Sequence, residues 1–206
     1  QEGYLAARYI AIEAGLPVES AALNVSRACG SGSQAIITAA EQILSGHGSI
    51  AVAGGGENFS RAHFAVTTGR WGHKRGPQTM VDTLDWAYRD PFSLELMGET
   101  AENLADDNQY QREPMDEYAL TSQQRAGAAR DFLSRHIAPI EVRERKATRM
   151  MDEDEYPRPQ VTLEKLAAMQ PVFRENGMVT AGNSSGVTDG AAMVVVADRA
   201  KAEALG

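Results

Sequence analysis

The sequence predicts an α/β fold, and three observations carry that prediction. Residues 21–25, 34–44 and 50–53 read in order as a short apolar strand, a helix with a buried stripe and a second apolar strand. The two strand-length runs lack polar alternation, which suits a sheet covered on both faces. A further apolar run returns at 190–198, near the end of the chain. Strand, helix and strand in succession form a βαβ unit, which implies a right-handed crossover and parallel pairing.

Taken in order, residues 3–14 read as a helix because Leu5, Tyr9 and Ile12 recur at helical spacing, with Gly15 and Pro17 as the stop. In 34–44 the stripe is Ala35, Ile36, Ala39, Ile43 and Leu44, closed by Gly46, and the strand at 50–53 is expected to stop at Gly54-Gly55-Gly56. Residues 67–89 are rich in Gly, Arg, His and Trp without periodicity. Long excursions of this kind are usually functional or interface-forming. Residues 95–109 and 114–132 read as two helices, the second with Pro114 in its first turn and Asp116 and Glu117 near the positive end of the dipole. A strand is expected at 137–142, an exposed charged loop at 143–160 and a short helix at 163–169. Residues 200–205 start a last helix with no strand after it, so a unit cut short is expected there.

The chain has 206 residues, 43% apolar and 23% charged, enough for roughly one to one and a half domains. Twenty Lys and Arg against 28 Asp and Glu leave a net charge of −8. This argues against a nucleic-acid-binding domain, whose footprint is a basic face. It leaves an anionic small ligand open, because backbone N–H groups and local charge bind phosphate whatever the net sign. No apolar run approaches the ~20 residues of a membrane span. One cysteine excludes an internal disulfide and a zinc site of several Cys ligands, and makes a reducing compartment the default.

The informative segment is Asn24-Val25-Ser26-Arg27-Ala28-Cys29-Gly30-Ser31-Gly32-Ser33-Gln34-Ala35. Cys29 falls between a predicted strand and the N-terminal end of a predicted helix. There the dipole and free N–H groups favour an anion, so the thiol pKa is expected to fall and the thiolate to be available as a nucleophile. The small residues after it let the chain turn sharply and a substrate approach, and the Cys29 amide is placed to donate to an oxyanion. Position alone leaves a second reading open, a buried and inert cysteine of the kind common in interiors. A third reading takes Gly30-Ser31-Gly32-Ser33-Gln34-Ala35 as a dinucleotide fingerprint. That fingerprint wants an acidic residue at the end of the next strand, where this chain has glycines and only a late Glu57.

The segment around Cys29 resembles the nucleophile motif of the thiolases, the acetyl-CoA acetyltransferase and 3-ketoacyl-CoA thiolase family. Four further stretches resemble that family's motifs in the same order. They are Ala53-Gly54-Gly55-Gly56-Glu57-Asn58-Phe59-Ser60, with Phe59 where Met is usual, and Met97-Gly98-Glu99-Thr100-Ala101-Glu102-Asn103. Ser122-Gln123-Gln124-Arg125-Ala126 follows, and then Thr180-Ala181-Gly182-Asn183-Ser184-Ser185-Gly186-Val187-Thr188-Asp189-Gly190-Ala191-Ala192. Together they span nearly the whole chain.

The resemblance implies the thiolase fold, a layered αβαβα arrangement. This sequence corresponds to its incomplete N-terminal half with an inserted α-rich loop domain. The expected division is 1–67 as the first part of the core, 68–182 as the loop domain with CoA-binding and oligomerisation segments, and 183–206 as the return to the core. The implied activity is acyl transfer: Cys29 takes an acyl group from a thioester and passes it to coenzyme A, or to an acetyl-CoA carbanion. Met97 matches a methionine beside the acyl pocket, Ser185 the hydroxyl that meets the pantetheine arm, Ala181 and Phe173 its apolar walls, and Arg158 an arginine near the adenine. Residues alone read Met97 and Phe173 equally as core, and Arg158 as a solvated charge. Asn183 and Asp189 are expected to hold their loop through side-chain-to-backbone bonds. Residues 67–80 resemble the region through which tetrameric members associate, although Trp71, His73, Lys74 and Arg75 also suit a solvated loop.

Several parts of the family pattern are missing. Leu96 stands where short-chain members often carry His, so acetyl-specific contacts do not carry over. The family's G-H-P histidine, its oxyanion-site asparagine and its second cysteine in C-x-G-G have no match. His47, His63, His73 and His136 are the four histidines and none precedes a proline. The expectation is a thiolase fragment or one polypeptide of a split enzyme, with a second polypeptide or a missing C-terminal half supplying the His and the second Cys. Acyl-CoA is the expected partner, as substrate, with no covalently bound cofactor and no metal. A homodimer or homotetramer is expected, in the cytoplasm, or in an organelle matrix if a targeting signal precedes Gln1. Two alternatives are a ketoacyl-synthase-like condensing enzyme, against which the motif at 180–192 argues, and a catalytically incomplete partner subunit or scaffold.

Overall fold

The computed structural model describes residues 5–143 and 147–206. The chain divides into two compact units, Gln1–Ser60 with Asp189–Gly206, and Arg61–Thr188. The first unit opens with α1 (Ala6–Glu13), α2 (Ser31–Leu44) and β1 (Ile50–Glu57). The second contributes β2 (Phe64–Ala65), β3 (Val81–Asp82), α3 (Thr83–Ala87), α4 (Met97–Asp107), α5 (Arg112–Ala128), α6 (Arg130–Ser134), β4 (Ile140–Arg143), β5 (Thr148–Met151) and α7 (Leu163–Ala167). The chain returns to the first unit with β6 (Gly190–Ala197) and α8 (Arg199–Leu205).

In the first unit, α1 and α2 form where the apolar stripes predict them, and the predicted start of α1 at residue 3 lies outside the described residues. Gly15 and Gly46 end the two helices at φ +84° and +77°, a left-handed conformation that glycine takes without strain. The strands depart from expectation. β1 pairs antiparallel with β6, from Ile50 opposite Ala197 to Glu57 opposite Gly190, so the predicted parallel βαβ unit does not form. Residues 21–25 make no strand. Leu23 is 66% exposed, and the neighbouring backbone is held by polar side chains. Asn24 Oδ1 accepts the Ala7 N–H at 2.9 Å, and Arg8 donates to the carbonyls of Val18 and Ser20 at 2.7 and 2.5 Å. An apolar run of strand length becomes a strand only beside a ladder partner.

β1 also runs through the glycines instead of stopping at them. A Cβ on Gly54 would lie 2.0 Å from the Ala192 carbonyl oxygen and 2.8 Å from Met193 Cα. Glycine here is what lets β6 approach. α2 packs on β1 and β6, and Ala53 is buried while Val52 and Val195 are 54% and 66% exposed. The expected cover on both sheet faces is therefore not met by the described residues: in the apolar run of β6, Val194 and Val195 are exposed.

In the second unit, Pro114 is the third residue of α5, within the first turn, where its missing N–H costs no helical bond. The single helix expected at 114–132 is two helices, α5 and α6, separated at Ala129. The charged stretch expected as a loop contains β5, paired with β4 from Ile140 opposite Met151 to Arg143 opposite Thr148. Residues 144–146 of that stretch lie outside the described residues. β4 forms at the end of the strand expected at 137–142; β5 was hidden because its side chains are largely exposed, while the ladder is made by backbone. The buried centre of the unit mixes apolar Ala105, Leu166 and Val179 with polar Glu102, Asp116 and Thr180. Among the described residues no helix is long and apolar enough to cross a membrane.

Candidate functional site

Cys29 is exposed and immediately precedes Gly30, the N-cap of α2. Just before it, Ala28 takes φ +46°, a region that residues with a Cβ rarely enter. Such strain persists where the surroundings over-determine it. Here Ser31 braces the turn from both sides, accepting the Arg27 N–H at 2.8 Å and donating to the Ala28 carbonyl at 2.7 Å. The Gly30 and Ser31 N–H groups close the turn onto the Arg27 and Ala28 carbonyls at 3.0 and 3.1 Å. Arg27 also reaches into the helix, donating to Gln34 Oε1 at 3.2 Å. The thiol is thus carried on a tight, braced turn at the entrance of a 14-residue helix, where the dipole favours an anion. The buried reading of Cys29 does not hold.

The other five predicted site residues belong to the second unit. Met97 is the first residue of α4, 45% exposed, and its N–H donates to the Tyr88 carbonyl at 2.9 Å. The Phe173 ring lies on the adjoining Gly98, where a Cβ would be 2.1 Å from it. The start of α4 and Phe173 therefore meet. Arg158 is exposed and turns back on its own loop, donating to the carbonyls of Glu155, Tyr156 and Pro157, while its N–H donates to Gln123 Oε1 at 2.6 Å. Tyr156 links this loop to the segment carrying Ser185: its hydroxyl donates to the Ser184 carbonyl at 2.9 Å and its ring covers Gly186. Ala181 and Ser185 are exposed.

The segment before Ser185 is held by residues that sequence reasoning did not single out. Glu102, 1% exposed, accepts the Met178 N–H with both oxygens at 2.9 Å and the Val179 N–H at 2.8 Å. Asp116, also 1% exposed, accepts from Arg112 Nε at 2.7 Å and from Asn183 Nδ2 at 3.0 Å. Arg112 further donates to the carbonyls of Leu166 and Met169 at 2.6 and 3.1 Å. Asn183 does hold its loop as expected, accepting the Thr180 N–H at 2.8 Å and donating to the Met178 carbonyl at 2.9 Å. Two signals point to these residues. Glu102 lies inside the stretch Met97–Asn103 quoted for the family, and Arg112 and Asp116 stand four apart on one helix. Among the described residues no group of three or more His, Cys, Asp or Glu converges as a metal site.

Asp189 acts in the first unit, accepting the Ser60 N–H at 2.9 Å beside the end of the ladder where Glu57 faces Gly190. The Ser60 amide, then the Ser60 hydroxyl, hold the Asp189 carboxyl below its ordinary value. With the folded value depressed, the clamp contributes fully above the ordinary carboxyl range and is lost as pH falls through the lower folded value. Asp189→Asn is expected to flatten the acid limb of thermal stability below about pH 4. Superimposable acid limbs for the two proteins would show that the clamp contributes nothing.

Fold and turn together define an α/β protein that presents a cysteine at a helix entrance. The family model "Thiolase, N-terminal domain" matches residues 1–200, and the chain belongs to the thiolase family. It is 41% identical to the mitochondrial 3-ketoacyl-CoA thiolase of Bos taurus over 194 residues, 93% of this chain and 49% of that protein. It is 42% identical to the beta-ketothiolase BktB of Cupriavidus necator over 202 residues, 97% of this chain and 51% of that one. The crystal structure of human mitochondrial 3-ketoacyl-CoA thiolase superposes with a TM-score of 0.91 at 39% identity, covering 100% of this chain and 53% of that chain. The same enzyme in complex with CoA superposes at 0.89, also at 39% identity, with 100% and 52% covered. The fold is the thiolase fold, and the chain spans about half the length of the relatives it matches.

Proposed function

We propose that this chain carries the acyl-transfer nucleophile of a thiolase. The Cys29 thiolate attacks the carbonyl carbon of an acyl-CoA thioester, the new C–S bond forms, and the bond to the CoA sulfur breaks. CoA leaves as a thiolate that takes up a proton. In the condensing direction the acyl group then passes to the carbanion of acetyl-CoA, the new C–C bond forming as the bond to the Cys29 sulfur breaks. In the thiolytic direction Cys29 attacks the keto carbon of a 3-ketoacyl-CoA, the C–C bond to the acetyl-CoA unit breaks, that carbanion takes up a proton, and the acyl group passes from Cys29 to CoA. Met97, Arg158, Phe173 and Ala181, in a loop domain at 68–182, and Ser185, just beyond it, bind the acyl-CoA. A general base and a second cysteine come from outside these 206 residues, from a C-terminal half or a second polypeptide, and the working form is a homo-oligomer of the cytoplasm or an organelle matrix. One observation carries the reading: the exposed Cys29 stands on a strained, braced turn at a helix entrance, in a chain matched by the thiolase model over residues 1–200. The test is to incubate the complete protein with acetyl-CoA, quench in acid and locate the added acetyl mass by peptide mass spectrometry. Cys29 is expected to carry it. A label on another residue, or turnover with no label on Cys29, overturns the reading.

A further inference from the structure

Glu102 is a buried carboxylate that accepts backbone N–H groups, those of Met178 and Val179, at 2.8 to 2.9 Å. Gly177 permits that approach, since a Cβ there would lie 2.2 Å from Glu102 Oε1. On the far side of Ala181, Asn183 is anchored by Asp116 at 3.0 Å. Burying a carboxylate is costly unless its hydrogen bonds are made with good geometry, so the two acids fix where this backbone runs. An apolar contact of the same area would hold the segment without specifying its position, because hydrophobic burial is non-directional.

We propose that Glu102 and Asp116 are positioning residues that set the Ala181–Ser185 stretch for coenzyme A. This rests on the reading that Ala181 and Ser185 contact the pantetheine arm. Neither acid touches substrate. They act through the backbone they hold, and a displacement of about 1 Å at such a contact is enough to cost up to ~10²-fold.

The experiment is Glu102→Gln in the complete protein. Glutamine keeps the length but aims an NH2 group at an N–H donor, so at least one of the bonds to Met178 and Val179 is lost. Two acyl donors separate the outcomes: acetyl-CoA, and the acetyl thioester of N-acetylcysteamine, which keeps the reacting thioester and drops the nucleotide and most of the pantetheine. For acetyl-CoA, kcat/KM is expected to fall about 10-fold or more, mainly through KM, while acylation of Cys29 by the short thioester changes less than about 2-fold. A parallel fall with both donors, or no change with either, overturns the proposal. Failure of the underlying reading looks different, since the unsubstituted protein would then use both donors equally and Ser185→Ala would leave acetyl-CoA kinetics untouched. Should E102Q not accumulate as folded protein, Asn183→Ala is read by the same donor ratio and with the same two outcomes.

Discussion

Cys29→Ala is expected to abolish acyl transfer, lowering turnover of the complete protein by about 10⁴-fold or more while leaving the unfolding free energy within about 1 kcal/mol of the parent. Two magnitudes set that size. Losing an activating base typically forfeits roughly 10²–10⁴, whereas deleting a covalent nucleophile removes the two-step route itself and forfeits more, about 10⁶ in a well-studied case. The small stability change follows from exposure: Cys29 makes no buried contact whose loss leaves a cavity. The turn is built by Arg27, Ala28 and Ser31, whose bonds do not use the thiol. Steady-state kinetics and a denaturation curve on one preparation check both halves. Retained turnover with a folded protein removes Cys29 from the chemistry. Lost turnover with a lost fold makes Cys29 structural.

What the residues announced in advance divides along a physical line. Helices α1 and α2 were legible because their apolar stripes and glycine stops are local patterns. The position of Cys29 before α2 was legible for the same reason. Strand partners were not, since nothing near Ile50 states that its ladder comes from Ala197 at the other end of the chain. Read locally, the glycines after Ala53 look like a stop. In the folded chain they are what allows β6 to approach. Strand β5 was hidden because it lies in a charged stretch whose exposed side chains look the same on a strand and on a loop. Around the predicted CoA residues, Met97, Phe173, Arg158, Ala181 and Ser185 came from family resemblance. The acids that hold the segment before Ser185 did not come forward, because Glu102 stood only inside a family motif and Asp116 read as a first-turn charge favoured by the helix dipole. Only the fold shows that both are buried and point at backbone or at Arg112 and Asn183.

The largest stability effect is expected at Asp116. Asp116→Ala would leave the Arg112 guanidinium without its carboxylate and Asn183 Nδ2 without one of its two acceptors. Removing one member of a buried pair typically costs about 3–5 kcal/mol, because the other charge stays desolvated. Arg112 keeps 23% of its side chain in solvent and still bonds the Leu166 and Met169 carbonyls. That places Asp116→Ala near the low end, about 3 kcal/mol, or a fall of roughly 6–12 °C in Tm for a chain of this size. Asp116→Asn separates the contributions. It preserves shape and one acceptor oxygen but removes the charge, so it is expected to cost about half as much. Equal losses for the two variants would mean that charge carries the whole effect. Losses below about 1 kcal/mol for both would mean that α5, α7 and the Thr180–Asn183 turn are held by apolar packing around Leu166, with the polar network contributing little.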